Sequence, residues 1–266
     1  MLREYVCARI TKKKGRKFVI HFHCTIPNTT NGKFAWFLLK KLCKISDMIF
    51  VLNSQSQTCL NKITNTPIKT IPNFVNENEI VESRRINNDL KTVLYVGGII
   101  ESKGISDILK TAQRMPELSF RLIGEGENCF KDYALKSNLN NVIFTGPKDK
   151  NGVIDELKNA DVFLFLSHFD GEGFSVALTE AMASGLPCIV TDWAANADMI
   201  GENGGVITKV GDIDAVVNAF NMIKPYNVRK KQSEANIQKV MLCYNDKVVL
   251  DMFVDAYEEM LTKKYE

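Results

Sequence analysis

The sequence has few of the features that mark membrane, disulfide-bonded or metal-binding proteins. Its longest apolar runs, such as residues 34–39, are far shorter than the ~20 residues that a membrane-spanning helix needs. The charged opening Met1-Leu-Arg-Glu-Tyr5 lacks the apolar core of a signal peptide. The 7 cysteines are odd in number and never show C-x-x-C spacing, which favours reduced thiols in a cytoplasmic protein.

The sequence also has few histidines and a small net charge. The 3 histidines include His21 and His23 on one face of a predicted strand, but no third ligand lies nearby in sequence, so a sheet-face or cleft position is favoured over a metal site. The net charge of +3 is too small to indicate nucleic acid as a partner. A hydrophobic content of 45% and a charged content of 24% over 266 residues are typical of one large or two modest globular domains.

What the chain does contain is a regular alternation of strands and helices. The predicted strands are continuously apolar, which indicates burial on both faces in a doubly wound parallel sheet. The predicted strands cover residues 93–96, 120–123, 142–144, 162–166, 188–191 and 206–207. The predicted helices cover residues 105–115, 131–137, 153–158, 175–184 and 213–223.

The segments on either side of this alternation predict a second, smaller domain. Residues 1–75 have a βαβα pattern that includes an amphipathic helix over residues 33–44, and Ile71-Pro-Asn73 then breaks the pattern. We therefore predict a small N-terminal domain over 1–75, a larger domain over 76–245, and a terminal helix over 246–266 that packs back on the N-terminal part.

The most informative stretch runs from Ser167 to Pro187. It predicts a strand end, a loop with glycines and a helix that is capped by Ser175 and ends before Gly185. A helix N-terminus after small residues directs backbone N–H groups at one point, which suits a phosphate. Glu172 and Glu180 flank that point, and carboxylates there would accept hydrogen bonds from hydroxyls. The pattern indicates a pocket for a sugar nucleotide.

Glu172 and Glu180 are separated by seven residues, and this segment resembles the E-x7-E motif of retaining GT-B glycosyltransferases of family 4. The flanking Gly171-Glu-Gly-Phe174 and Thr191-Asp-Trp193 resemble the members that build bacterial surface polysaccharides. The resemblance implies two Rossmann-like domains, a nucleotide-diphospho-sugar donor linked to UDP or GDP, no metal, and no cofactor beyond that donor. It also implies transfer of a hexose-type sugar with retention to a polysaccharide or lipid-linked acceptor.

The resemblance also assigns roles to individual residues. Glu172 would contact the transferred sugar, Glu180 the ribose, and the amides around Gly173, Phe174, Ser175 and Val176 the phosphates. Lys103 fits the family's lysine, whereas Gly98, beside Gly97, stands where an arginine is usual. We expect the missing arginine to cost diphosphate binding about 1.5–3 kcal/mol unless another cation replaces it. The loops with Gly124 and Gly126 and with Gly146 and Pro147 would approach the base. The catalytic residues are expected to be Glu172 and Lys103.

The resemblance also implies that the N-terminal domain over 1–75 is only partial, which leaves three interpretations of the chain open. In the family, the first strands and glycine-rich loop of that domain carry much of the acceptor site, and they have no counterpart in residues 1–75. The chain could act as an enzyme, bind a nucleotide sugar without turnover, or form a split enzyme that a second chain completes. Residues 12–17 and 33–44 combine bases with aromatics, which suits peripheral contact with a membrane, although most such helices are simply half-buried.

Two further motifs are weaker. Gly124-Glu-Gly-Glu-Asn-Cys129 begins like the G-x-G-x-x-G loop of dinucleotide-binding folds but ends in cysteine, which disfavours an NAD site. Asp212-Ile-Asp214 resembles a D-x-D metal motif, yet acids at that point also favour a helix N-terminus.

Overall fold

The computed structural model describes residues 1–262 and divides the chain into two compact units. Among the described residues, the first unit contains 1–73, 170–174 and 246–262, and the second contains 74–169 and 175–245. The sequence placed the boundaries after residues 75 and 245 and assigned 170–174 to the larger domain. In the structure these five residues are part of the smaller unit.

The second unit is built on a six-stranded sheet in which every pair of neighbouring strands is parallel, with the order β6-β5-β4-β7-β8-β9. The chain starts in the middle at β4 and winds outward in both directions, so loops at the carboxyl ends of β4 and β7 meet where the winding reverses. The strands are β4 (Thr92–Val96), β5 (Ser119–Ile123), β6 (Val142–Gly146), β7 (Val162–Phe165), β8 (Cys188–Thr191) and β9 (Gly205–Thr208).

Helices connect the strands of this sheet, and one side of each long helix places apolar residues such as Leu178 and Phe220 in the core. In β7 and β8 every residue is buried, as a parallel sheet covered on both faces requires. The helices are α5 (Ile105–Arg114), α6 (Asn128–Lys136), α7 (Lys150–Asn159), α8 (Val176–Ala183), α9 (Asn196–Ile200), α10 (Ile213–Ile223) and α11 (Tyr226–Cys243). Two 3₁₀ turns, Glu77–Glu79 and Glu101–Lys103, precede α5.

The first unit has a three-stranded parallel sheet in the order β1-β2-β3. One apolar cluster includes Leu39, Leu42 and Ile49, and a second includes Met48, Val249 and Met260. The elements are α1 (Leu2–Lys13), β1 (Val19–Phe22), α2 (Ile26–Thr29), α3 (Lys33–Ile45), β2 (Met48–Val51), α4 (Ser54–Asn61), β3 (Ile68–Thr70) and α12 (Asp246–Thr262). The final part of the predicted terminal helix, residues 263–266, lies outside the described residues.

The predicted α/β class with parallel, doubly wound strands is confirmed. Each of the six strands predicted after residue 92 is present, and the helix predicted over 213–223 has those same bounds in α10. The sequence analysis missed β3, α2 and α9. β3 has three residues, of which only Ile68 is a large aliphatic residue, and α2 and α9 are single turns, so none of them shows a full period of hydrophobic residues.

Candidate functional site

Three loops of the second unit extend the sheet's hydrogen bonding past the carboxyl ends of β4, β5 and β6. Gly97 N–H donates to Ile123 O, and Gly124 N–H donates to Gly146 O, at 3.0 and 3.1 Å between nitrogen and oxygen. Gly124 has φ of 145°, and a Cβ there would lie 1.9 Å from the Gly97 carbonyl oxygen. The loop after β5 therefore has room only for glycine, and its backbone lies directly against the loop after β4.

The other predicted glycines and Pro147 lie along the same edge. Gly126 faces the Ile99 backbone, Gly98 is exposed with open space where a side chain would begin, and Pro147 is exposed after β6. The structure thus brings together the predicted residues of all three loops.

Lys103 is held over aromatic rings beside the exit of β7. Its Nζ lies 4.9 Å from the Phe169 ring centre and 5.8 Å from the Phe165 ring centre, both within reach of a cation–π interaction. The loop that carries Lys103 is tied to the β7 exit because His168 N–H donates to Ser102 O at 2.8 Å. These contacts place an ammonium group beside Phe169, after the carboxyl end of β7.

Trp193 contacts the residues that follow the carboxyl end of β7. Its indole Nε1–H donates to Phe169 O at 2.9 Å, and its ring lies edge-on to the His168 ring with 6.4 Å between the centres. His168 is half-buried, and Trp193 follows β8. The loops after β7 and β8 therefore both support Phe169, whose ring lies beneath Lys103.

Helix α8 begins as predicted at Ser175. The Ser175 hydroxyl accepts a hydrogen bond from Leu178 N–H at 3.2 Å, which caps the first turn. Ser175 is buried and Val176 is 47% exposed, so the helix N-terminus meets the surface at Val176.

Glu180 lies one turn further along α8 and lines a cavity of about 320 Å³ in the second unit. Val96, at the end of β4, and Lys148 and Lys150, after β6, line the same cavity. Burial raises the pKa of Glu180, the charge of Glu79 raises it further, and Lys150 opposes the shift. Glu79 is ion-paired with Lys150 and accepts a hydrogen bond from Asn76 at 2.8 Å. Glu180 thus sits in a mixed-charge pocket with room for a small polar ligand.

Glu172, Gly173 and Phe174 belong to the first unit, so the predicted site residues are divided between the two units. Glu172 is 9% exposed, and its main-chain carbonyl accepts a hydrogen bond from the Thr25 hydroxyl at 2.6 Å. A Cβ on Gly173 would lie 2.6 Å from His23 O, so the loop backbone packs tightly against the end of β1.

Sequence reasoning assigned no role to four residues that shape these environments, although Trp193 was part of a matching motif. Glu79 and Lys150 set the charge around Glu180, while Phe169 and Trp193 support Lys103. Position after a strand's carboxyl end was an available signal for Lys150, Phe169 and Trp193. Glu79 lies outside that pattern, and its partner is 71 residues away in sequence.

The remaining motifs have structural explanations. Asp212 caps α10 by accepting from Ala215 N–H at 2.9 Å, and Asp214 pairs with Arg114. His21 and His23 have ring centres 4.1 Å apart, and burial together with His23 lowers the pKa of His21 to about 4. Within residues 1–262 no cluster of three or more His, Cys, Asp or Glu side chains is arranged to hold a metal ion.

Over the part of the chain that the structure describes, no helix combines the length and apolar character needed to cross a membrane.

Comparison with known proteins gives a family match over most of the second unit. The model of the family described as "Glycosyl transferases group 1" matches residues 76–239. N-acetyl-alpha-D-glucosaminyl L-malate synthase of Bacillus anthracis is 24% identical over 213 residues, which are 74% of this chain and 55% of that protein. An Escherichia coli UDP-Gal:alpha-D-GlcNAc-diphosphoundecaprenol alpha-1,3-galactosyltransferase is 30% identical over 56% of this chain and 39% of that protein. The chain thus spans about half the length of these curated relatives or less.

Solved structures match the fold of nearly the whole chain. Sucrose-phosphate synthase from Thermosynechococcus elongatus has a TM-score of 0.85 at 17% identity and covers 97% of this chain and 71% of its own. Anabaena HepE in complex with UDP has a TM-score of 0.83 at 15% identity, covering 96% of this chain and 76% of its own. At these identities the likeness establishes the fold alone.

Proposed function

The chain belongs to the group 1 glycosyl transferases, whose family model spans residues 76–239, and from this we propose that it transfers a hexose-type sugar from a nucleotide-diphospho-sugar to a glycan or lipid-diphosphate-linked acceptor. The fold is of the Rossmann-like GT-B type. Among its members the chain is of the family-4 kind, by the spacing of Glu172 and Glu180. Of the two nucleotides that the resemblance implies, UDP and GDP, we propose UDP, and the support is that solved neighbours of the same fold are complexes with UDP and UDP-glucose.

The observation that carries the proposal is the Glu180 cavity at the carboxyl edge of the second unit's sheet. In doubly wound folds this edge binds nucleotides, and a carboxylate that lines the pocket accepts hydrogen bonds from the two ribose hydroxyls. Lys150 and Lys148 keep the local field from being wholly negative, which a ligand carrying a diphosphate requires.

The transfer breaks the bond between the sugar's anomeric carbon and the diphosphate oxygen, and the acceptor oxygen bonds to that carbon while its proton passes to the leaving diphosphate. Charge builds on the leaving diphosphate, and Lys103, at the position of the family's lysine, stabilises it together with the amides of residues 173–176. Glu172 orients the sugar, and attack from the leaving group's own face retains the anomeric configuration. This chemistry requires no metal and no further cofactor.

The acceptor side is proposed to lie in the first unit, which would contact the inner surface of the cell membrane. The support is its basic and apolar helices: α3 has Phe34 69% exposed and Phe37 54% exposed, with Lys41 Nζ 5.5 Å from the Phe37 ring centre. A membrane-bound diphosphate acceptor is negatively charged, as an anionic lipid surface is, so the same basic side chains would attract both.

Calorimetric titration of the purified chain with UDP and with GDP tests the nucleotide site. We expect saturable binding of UDP that weakens at least tenfold in Glu180→Ala, since losing hydrogen bonds between a charged group and hydroxyls costs about 1.5–3 kcal/mol. The matched control is Glu202→Ala, an exposed glutamate of the same unit, which should bind as the wild type does. A folded chain that binds neither nucleotide would refute the proposal.

A further inference from the structure

Three successive main-chain carbonyls in the loop 172–174 are each held by a side chain of the first unit. The Glu172 carbonyl accepts from Thr25 Oγ1 at 2.6 Å, the Gly173 carbonyl from Asn53 Nδ2 at 2.9 Å, and the Phe174 carbonyl from Asn73 Nδ2 at 2.8 Å. The three donors come from different parts of the unit: the start of α2, the start of α4, and the segment after β3. We call Thr25, Asn53 and Asn73 the carbonyl clamp.

The clamp is a connected and buried network. Thr25 is 0% exposed and Asn53 is 2% exposed. Asn53 Nδ2 also donates to the Thr25 hydroxyl oxygen at 3.0 Å, while Asn53 Oδ1 accepts from Ser56 N–H at 2.8 Å and caps α4. Because the Thr25 hydroxyl accepts from Asn53, its single proton is directed to the Glu172 carbonyl. Every bond therefore has a fixed direction, and the bonds polarise one another.

The geometry of the peptide bond connects these carbonyls to the site. All the described peptide bonds are trans, so each C=O points almost opposite to the N–H of the next residue. Holding the carbonyls of residues 172–174 therefore turns the amides of Gly173, Phe174 and Ser175 away from the clamp. Gly173 packs closely against His23 O and the Leu52 side chain, and this packing prevents the peptide groups of the loop from rotating.

We propose that the carbonyl clamp positions the amides of residues 173–175 to receive the donor diphosphate and fixes the backbone from which the Glu172 side chain extends. This rests on the proposed function and deepens it, because it assigns Thr25, Asn53 and Asn73 as positioning residues. These residues do not touch the donor. They determine which way the anion-binding amides face.

The test compares UDP affinity in single variants by calorimetry, at a temperature below the unfolding transition of every variant. Thr25→Val is nearly isosteric and removes the hydroxyl, so we expect UDP binding to weaken at least fivefold. Thr25→Ser restores the hydroxyl and should bind within twofold of the wild type. Thr29→Val is the matched control, because the Thr29 hydroxyl donates to Thr25 O and to Cys24 Sγ and lies outside the clamp.

A second variant and a second measurement keep the proposal testable if Thr25→Val does not fold. Asn73→Ala, at a half-buried position, removes one clamp donor and should weaken UDP binding at least threefold. In hydrogen exchange, both variants should speed exchange in the segment 170–176 more than elsewhere, whereas Thr29→Val should not.

The outcomes separate the two proposals. If the wild type binds neither UDP nor GDP, the proposed function fails and the clamp proposal falls with it. If the wild type binds UDP and the folded clamp variants bind it equally well, the proposed function stands and the clamp proposal is overturned. A merely structural clamp would lower the unfolding temperature and leave the dissociation constant unchanged.

Discussion

A single carboxylate, Glu180, should make nucleotide binding depend on pH. Its pKa is raised, chiefly by burial and also by the charge of Glu79. Hydroxyls that donate to the ionised carboxylate would lower that pKa in the complex, so binding favours the deprotonated form. Affinity should then be constant above the raised pKa of the free protein and fall as the pH drops through it, by up to tenfold per pH unit. The fall should begin at a higher pH than for an ordinary glutamate.

The measurement is calorimetry with UDP-glucose, whose diphosphate does not titrate near neutral pH. Glu180→Gln is the matched control, since it keeps the shape of the side chain and removes the ionisation. Its affinity should be lower at pH 7 and nearly flat with pH. An equal pH dependence in the wild type and in Glu180→Gln would exclude Glu180 as the titrating group.

Lys103 should contribute most of its effect through charge. Replacing Lys103 with alanine removes the ammonium group that lies over Phe169, and we expect UDP binding to weaken roughly 10-fold to 150-fold, equivalent to about 1.5–3 kcal/mol. Lys103→Arg keeps the positive charge and should recover much of the affinity. The same titrations measure both variants, and equal losses in the two would show that shape rather than charge is what the site requires.

At the scale of elements, Arg84 joins the ends of two helices. Its guanidinium donates to Leu157 O at 2.9 Å, Lys158 O at 3.1 Å and Ala160 O at the end of α7, and to Ser184 O at 2.8 Å at the end of α8. These carbonyls are among those that a helix C-terminus leaves unpaired, and a cation there also meets the negative end of the dipole. Burial lowers the pKa of Arg84 to about 10, so the group stays charged at neutral pH.

Arg84→Met should therefore lower the free energy of unfolding by about 3 kcal/mol, because it leaves several partly buried carbonyls without a donor. Urea denaturation followed by circular dichroism measures the change. Arg85→Met is the control, since Arg85 is exposed and its loss should change stability by less than about 0.5 kcal/mol. Similar losses in the two variants would contradict the capping role.

The elements differ in how far sequence alone could predict them. β7 and β8 are continuously apolar, and α8 and α10 have side-chain caps at Ser175 and Asp212, so local chemistry was enough to place them. α2 is a four-residue turn with Pro27 in its first turn, and α9 follows Ala194 at φ of 51°, features that no hydrophobic period reveals.

The candidate site likewise contains residues that the sequence could predict and contacts that it could not. The residues that follow strand ends were predictable because parallel strands bring their carboxyl ends to one edge. The ion pair of Glu79 with Lys150 joins positions 71 residues apart, and the clamp on residues 172–174 uses donors 101 to 147 residues away. Such contacts depend on how the whole chain folds, so the sequence pattern gave no sign of them.

At the scale of the whole molecule, charge is distributed unevenly along the chain. Residues 1–45 contain 11 lysines and arginines and one acid, Glu4, whereas the full chain has a net charge of only +3. The remainder is therefore net negative. In the same segment Leu2, Val6 and Ile10 follow one another at four-residue spacing on α1, and each is about half exposed. An electropositive segment with exposed apolar side chains has the composition of a surface that binds anionic membranes.

This composition predicts salt-sensitive binding to vesicles that contain phosphatidylglycerol, and much weaker binding to neutral phosphatidylcholine vesicles, measured by co-sedimentation. Phe34→Ser with Phe37→Ser should reduce the partition coefficient at least tenfold, since each ring that is buried in the lipid contributes about 1.5–3 kcal/mol. The control pair, Leu135→Ser with Met222→Ser, removes residues of the second unit that are 76% and 61% exposed and should bind as the wild type does. Raised salt weakens the charge attraction but not the burial of apolar side chains, so part of the wild-type binding should persist at high salt. The double variant of Phe34 and Phe37 should lose that part. Equal binding to both kinds of vesicle, or an equal loss in the control pair, would contradict a membrane surface on the first unit.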